Sequence, residues 1–281
     1  MVDYKYHVTT LVAIFLALGI GILIGSMMLG GDFVVEQQKT LIDRLENDFR
    51  QMRVQTSLVK NDLAAAKENI KNYQDFCQEM LPILAKDRLK GLRVAVIQTG
   101  NSFPIDDIEN LLKLAGTEVK SVTTILEDFT IADVSANFPE EILKGSQLVR
   151  LLGETVLYGD SANLVPVLKE KKLVSTTGTF GELVDAVIMV GGSQTDQGEQ
   201  AKWLDEPLID YFLENEIRVI GVEASNAVHS YMGYYQSKPV ATVDNIETVP
   251  GKIALLYALL GQEGNFGIKK TAQRLIPDLL N

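Results

Sequence analysis

From Val8 to Gly31 the chain runs 24 residues without a charge. At about 1.5 Å per residue, a helix of that length spans roughly 36 Å, enough to cross a hydrocarbon core of about 30 Å. Leu11-Val12-Ala13-Ile14-Phe15-Leu16 is apolar on every side, whereas a helix lying against a soluble core shows one polar face. A cleaved signal peptide would need a shorter apolar run and a small-residue cleavage site, which Ser26-Met27-Met28-Leu29 does not supply. The segment therefore predicts an uncleaved transmembrane anchor over residues 8–31, preceded by a cytoplasmic N-terminus over residues 1–7. Long segments after an anchor are translocated largely regardless of charge. This favours a single-pass protein of the cytoplasmic membrane with its N-terminus inside and its bulk outside. A single Cys suits that oxidising compartment.

Small residues recur at every fourth position of the anchor, at Ala13, Ala17, Gly21 and Gly25. That spacing lets two helix backbones approach closely in lipid. Gly and Ala are also simply common in membrane helices.

A second periodicity begins beyond the anchor. From Ile42 the 3-4 alternation runs through Leu45, Phe49, Met52, Thr56, Val59, Leu63, Ala66, Ile70, Tyr73, Cys77, Met80 and Leu84. Twelve of these thirteen positions are apolar or semi-apolar, and Thr56 is the exception. Asp43, Arg44, Glu46, Lys60, Asp62 and Glu68 lie between them. A 3.5-residue period held for this long predicts a left-handed coiled-coil stalk over residues 32–90, with about 80 Å of helix from Asp32 to Leu84. The alternative is one amphipathic helix folded onto its own domain, since Thr56, Ala66 and Cys77 make a weak seam. Anchor and stalk together predict a parallel homodimer. Cys77 falls at an a position, as a small hydrophobe in the seam or as half of an interchain disulfide.

Residues 91–281 change period. Pro82 and Lys90-Gly91 close the helical region, and strands are expected at Leu92–Ile97, Val119–Ile125, Asp185–Val190, Ile217–Val222 and Val240–Val243. Helices are expected near Pro104–Ala115, Ile142–Leu152, Ala162–Glu170, Ala201–Glu214 and Ile253–Leu260. Continuous apolar strands separated by helices indicate an extracytoplasmic α/β domain with a mostly parallel, Rossmann- or flavodoxin-like sheet. The whole chain thus reads as a single transmembrane helix, a long α-helical coiled coil and an α/β domain.

Composition excludes several functions. Lys and Arg total 26 against 37 Asp and Glu, a formal charge of −11, so no nucleic-acid partner is expected. One Cys and two His exclude a Cys- or His-rich metal cluster. The predicted strands end in Gln98-Thr99-Gly100-Asn101-Ser102, Gly191-Gly192-Ser193-Gln194 and Glu223-Ala224-Ser225-Asn226. None is a phosphate-cradling loop or a nucleophile elbow. His229 neighbours Ser225, Ser230 and Glu223 in sequence only. Asp106-Asp107 and Glu140-Glu141 sit at helix starts, where acids complement the dipole. No catalytic or cofactor-binding residue is assigned, and the domain is not expected to be an enzyme. Copper(I) would want clustered soft ligands, and His7 and Met27-Met28 at the ends of the anchor make no evident site.

Tyr4-Lys5-Tyr6-His7-Val8, the apolar stretch Leu11–Gly25, the coiled coil and α/β domain, and the tail Asn265-Phe266-Gly267-Ile268-Lys269-Lys270 with Leu275-Ile276-Pro277 resemble the mycobacterial copper-transport MctB family. That resemblance implies copper ion transport or homeostasis, with copper as the implied ligand, and the family name implies an outer-membrane channel. A related group, the actinobacterial SteB division proteins, is similar in its anchor, coiled coil and outer domain. It implies the alternative of an envelope scaffold that regulates peptidoglycan hydrolysis through a division-protein partner.

Overall fold

The computed structural model describes residues 4–126, 145–195 and 199–278. Two compact units divide the chain, Met1–Tyr73 and Gln74–Asn281. One helix, α1 (Tyr4–Ala85), contains the whole of the first unit's described chain. Its first 25 residues, Tyr4–Met28, are long and apolar enough to cross a membrane, and none of that segment is buried. The expected helix over the stalk residues is present. Its a and d side chains from Ile42 to Tyr73 are exposed.

In the second unit the end of α1 changes character. Leu81 and Ala85 are buried, and Cys77 is half-buried against the same cluster. These residues are four apart and share one helix face. The helix continues through Pro82, and the Lys86 amide closes its last turn on the Pro82 carbonyl at 3.0 Å. Asp87, at φ 55°, then turns the chain left-handed.

Among the described residues seven strands follow: β1 (Arg93–Gln98), β2 (Glu118–Ile125), β3 (Val174–Gly178), β4 (Ala186–Val190), β5 (Arg218–Val222), β6 (Ala241–Val243) and β7 (Asn265–Phe266). They form one sheet in the order β3-β2-β1-β4-β5-β6-β7. Every neighbouring pair is parallel except β2 and β3. The helices between them are α2 (Ile105–Leu114), α3 (Gly145–Tyr158), α4 (Leu164–Glu170), α5 (Glu206–Glu214), α6 (Met232–Tyr235) and α7 (Val249–Leu259).

Alternation along the strands divides the core between the two faces. Val94 and Val96 of β1 join Ile188, Val222, Leu112 and Leu255 on one side, together with Leu81, Ala85 and Leu89. Ala95 and Ile97 join Val187, Met189, Leu148, Leu168 and Phe212 on the other. Both faces of the central strands are covered, so those strands read as unbroken apolar runs. Each fully buried aliphatic side chain contributes about 1.5–3 kcal/mol. At the base of the sheet Arg93 grips Asp185 with two bonds, Nη2 to Oδ1 at 2.5 Å and Nε to Oδ2 at 2.9 Å. The Arg93 guanidinium holds the Asp185 carboxyl below the usual carboxylate range.

The sequence-derived strands all occur, with ends shifted by a residue or two. Two strands went unanticipated. β3 is a polar antiparallel edge whose middle and end are largely exposed, and β7 is two residues long. The helix expected over Ile142–Leu152 is described over Gly145–Tyr158. Its first three expected residues, like Glu140-Glu141, lie outside the described residues.

Gly100 marks the tightest backbone approach at the top of the sheet: a Cβ there would stand 2.0 Å from the Gly192 carbonyl oxygen. Gly100→Ala is predicted to cost about 1–3 kcal/mol by overpacking. Gly233→Ala, where a Cβ meets nothing within 4 Å, should change stability little. Urea unfolding of the two variants checks the contrast.

Candidate functional site

In an open α/β sheet, ligands bind beyond the carboxyl ends of the strands where the strand order reverses. Here the reversal lies between β1 and β4, because β2 follows β1 outward on one side and β5 follows β4 on the other. The chain fills this crevice itself. The Thr99 and Gly100 amides both donate to the Val190 carbonyl, at 2.9 and 3.1 Å. The Ser102 amide reaches the Gly192 carbonyl at 3.2 Å, and its hydroxyl donates to the Gly191 carbonyl at 3.0 Å. Asn101 Oδ1 accepts from the Ser193 hydroxyl at 3.0 Å and the Gln194 amide at 2.8 Å. The polar loops at the strand ends are thus laced to one another.

Beneath them lies a buried carboxylate. A π-helical turn, Ala201–Asp205, precedes α5, and wide turns of this kind often mark functional positions. Asp205 at its end is fully buried, and its Oδ2 accepts from the Tyr235 hydroxyl at 2.5 Å and the Thr99 hydroxyl at 2.7 Å. Among the described residues Oδ1 has no hydrogen-bond partner. Gly191 and Gly221 make room for Tyr235, since a Cβ at Gly191 would stand 2.2 Å from its hydroxyl and one at Gly221 2.3 Å from its ring. Burial pushes the Asp205 carboxyl up to about 7, with the Tyr235 and Thr99 hydrogen bonds pulling the other way. Burial, followed by the nearby Asp205 charge, also raises the Tyr235 hydroxyl well above its ordinary value.

A second fully buried carboxylate, Glu223, lies just past β5. It accepts from the Ser230 hydroxyl at 2.5 Å and the Tyr231 amide at 2.8 Å, and it pairs with Lys269 Nζ at 2.5 Å. Asp244, just past β6, accepts from the Ile268 and Lys269 amides at 2.7 and 3.1 Å. Ser225 donates to Glu247 through both its hydroxyl and its amide.

The hydroxyls weighed from sequence have thereby found other partners. His229 and Ser193 meet through their backbones, each amide donating to the other's carbonyl at 2.9 Å. Ser225 and Ser230 turn to carboxylates, as described. Asp205 and Lys269 carry the structure's two most distinctive polar contacts, and neither was singled out from sequence for chemistry. The one available signal was an acid, Asp205, at helical spacing with the apolar residues Ala201, Leu204, Leu208 and Phe212.

The residues expected to mediate pairing are presented outward. Ala13, Ala17 and Gly21 are exposed and Gly25 is half-buried, and a Cβ at Gly21 or Gly25 would meet nothing within 4 Å. Ile42, Leu45, Phe49, Met52, Val59, Leu63, Ile70 and Tyr73 are each at least 53% exposed. Soft ligands are dispersed: Met27 and Met28 are exposed on α1, while Met189 and Met232 are buried in the sheet domain. Among the described residues no three His, Cys, Asp or Glu side chains are placed to hold a metal ion.

Comparison with known proteins extends over nearly the whole chain. Residues 1–277 match the family model described as "Copper transport outer membrane protein, MctB". Proteins named copper transporter MctB from Mycobacterium tuberculosis and Mycobacterium bovis are 24% identical, over 95% of this chain and 96% of theirs. A protein named 7-methyl-GTP pyrophosphatase from Rhizobium etli is 28% identical over 131 residues, covering 44% of this chain and 62% of its own. The family and the mycobacterial relatives carry the name of a transporter and not of an enzyme.

Asp205 also sets a pH dependence. Its folded value, about 7, lies above the unfolded value near 3.8. Between these the folded state binds more protons, so stability falls as pH rises through that window and levels off above it. At about 1.4 kcal/mol per pH unit, the loss between pH 5 and 7 is about 2 kcal/mol. Asp205→Asn should remove this component, flattening the denaturation free energy over that interval relative to the parent.

Proposed function

Because this chain belongs to the MctB copper-transport family, we propose that it serves copper homeostasis as a membrane-anchored, paired, non-catalytic protein. The observation that carries this reading is the family match over residues 1–277, joined to the apolar helix Tyr4–Met28 at the N-terminus. The anchor holds the chain in the cytoplasmic membrane, N-terminus inside, with the α/β domain on the outer side. One apolar helix does not make a pore, and the central strands of the sheet are buried on both faces. Copper, as cargo, would then cross elsewhere or be handed on by a partner.

Parallel pairing is the proposed use of the outward stripe. Ile42, Leu45, Phe49, Met52, Val59, Leu63, Ile70 and Tyr73 present apolar surface at heptad spacing, and two such stripes bury each other as knobs in holes. The small residues Ala13, Ala17, Gly21 and Gly25 supply a matching face in lipid. A second reading, an envelope scaffold that acts on a division or wall-hydrolysis partner, draws on the same stripe. It is favoured by the polar groups at the sheet's carboxyl edge, which are committed to one another.

Elemental mass spectrometry of cell-associated copper under mild copper load tests the reading. The deletion strain should retain more copper than its parent, and complementation should reverse this. Unchanged copper would contradict the copper role and leave the scaffold. Leu45→Asp with Leu63→Asp should behave like the deletion and weaken pairing at least tenfold, about 1.4 kcal/mol or more. His7→Ala, Met27→Ala and Met28→Ala test direct ligation: altered copper tolerance would place soft ligands at the anchor, and unaltered tolerance would leave transfer to a partner.

A further inference from the structure

The tail beyond β7 is held in an unusual way. Gly267, at φ +136°, lies so close to Asp244 that a Cβ would stand 1.9 Å from Oδ1. This approach lets the amides of Ile268 and Lys269 grip both Asp244 oxygens. The Gly267 amide closes a loop on the Arg274 carbonyl at 2.9 Å, and the Gln273 amide donates to the Asn265 carbonyl at 2.8 Å. The resulting hook lays the Lys269 side chain across the carboxyl ends of the strands. Its ammonium donates to Glu223 Oε1 at 2.5 Å and to the Ala224 carbonyl at 3.3 Å.

Glu223 is built to receive a cation whether or not the hook is present. Its carboxylate is fully buried, and the Ser230 hydroxyl and Tyr231 amide fix both oxygens from the chain's own β5–α6 loop. Gly192, at the end of β4, faces it closely, with a Cβ there falling 3.0 Å from Oε2. The acceptor pair therefore sits beyond adjacent parallel strands, at the edge where open α/β sheets take ligands. A buried carboxylate without a counter-charge is costly, so the pocket retains its demand for a cation when Lys269 is withdrawn. A compact ammonium with three donors suits a carboxylate oxygen and a carbonyl set in different directions. A planar guanidinium fork favours the two oxygens of one carboxylate, and the second oxygen here is already held by an amide.

The hook is held mainly by hydrogen bonds and buries few side chains. β7 contributes two residues and the Ile268 side chain is 62% exposed; Phe266, Gly267 and Pro277 are its buried residues. Segments with few buried contacts open at low free-energy cost. We propose that the Glu223–Ala224 acceptor pair is a binding site for a primary alkylammonium group, occupied in this structure by the chain's own Lys269 and open to a competing amine when the hook lifts.

Thermal unfolding of the full chain in detergent micelles tests this with n-butylammonium chloride as the probe. Lys269→Ala should show a saturable rise in Tm with n-butylammonium. Tetramethylammonium, of equal charge but with no N–H, should give none, and the Lys269→Ala, Glu223→Gln double variant should respond to neither. In the parent, excess n-butylammonium should speed amide hydrogen exchange at Ile268 and Lys269 several-fold while leaving the strands unchanged. If Lys269→Ala does not fold alone, recovery of soluble protein by n-butylammonium is the equivalent result. An acetyl-Gly-Lys-Gly-amide peptide distinguishes a partner's lysine from a free amine: saturation by the peptide assigns the first, and by the small amine alone the second. Lack of response of Lys269→Ala to both probes, or an equal response to tetramethylammonium, overturns the proposal and leaves Lys269 as a structural counter-ion.

Discussion

Burial of the central strands on both faces is the constraint on which the domain depends. β1, β4 and β5 carry apolar side chains to both sides, so each face of the sheet must be covered. The last turns of α1 supply part of one cover through Leu81 and Ala85, followed by Leu89 in the turn beyond. Cys77 leans on the same cluster. The domain therefore begins inside the helix, at Gln74, ahead of the change of period near residue 91. That helix is one continuous element with two environments: its a/d stripe up to Tyr73 is exposed, and its face at residues 81 and 85 is core.

At the opposite edge of the sheet, polar groups are satisfied mostly by each other. Thr99, Tyr235 and Asp205 form one buried set, and Ser230, Lys269 and Glu223 form another. Removing a carboxylate from water is expensive unless it is paired or protonated, and the two sites meet that demand differently. Glu223 receives an ammonium and two further donors. Asp205 receives two neutral hydroxyls, so it can instead take a proton near neutrality. This difference makes Asp205 a determinant of pH-dependent stability and leaves Glu223 as a receptor for positive charge.

Much of the architecture was legible because it follows from local pattern. The helix through Ile42–Leu84 is announced by its period, and β1, β4 and β5 by uninterrupted apolar runs. The helix expected near Pro104–Ala115 is α2, and Gly116, at φ +76°, lies just past its end. What escaped depends on neighbours. β3 is a Ser-Thr-Thr edge whose strand character comes from pairing with β2, and β7 is too short to show a pattern. Glu223 looks in the sequence like an ordinary acid, and Asp205 stands out only by its apolar helical spacing, because burial of a carboxylate is set by tertiary packing. Lys269 stands in the tail that carried the family resemblance, yet its role as an ion partner depends on Gly267 closing against Asp244. The π-helical turn ahead of α5 has no sequence signal that distinguishes it from the helix it joins.

The account turns on the outward stripe of α1 being a pairing surface. Stripe residues at least half exposed over eight heptad positions present more apolar surface than an isolated soluble helix retains. The most direct measurement is the mass of the full chain in lipid nanodiscs, by native mass spectrometry or by counting single labelled chains. Two chains per disc at protein dilutions where random co-occupancy is negligible is the predicted result. One chain per disc under those conditions would contradict the pairing and, with it, the proposed use of the stalk.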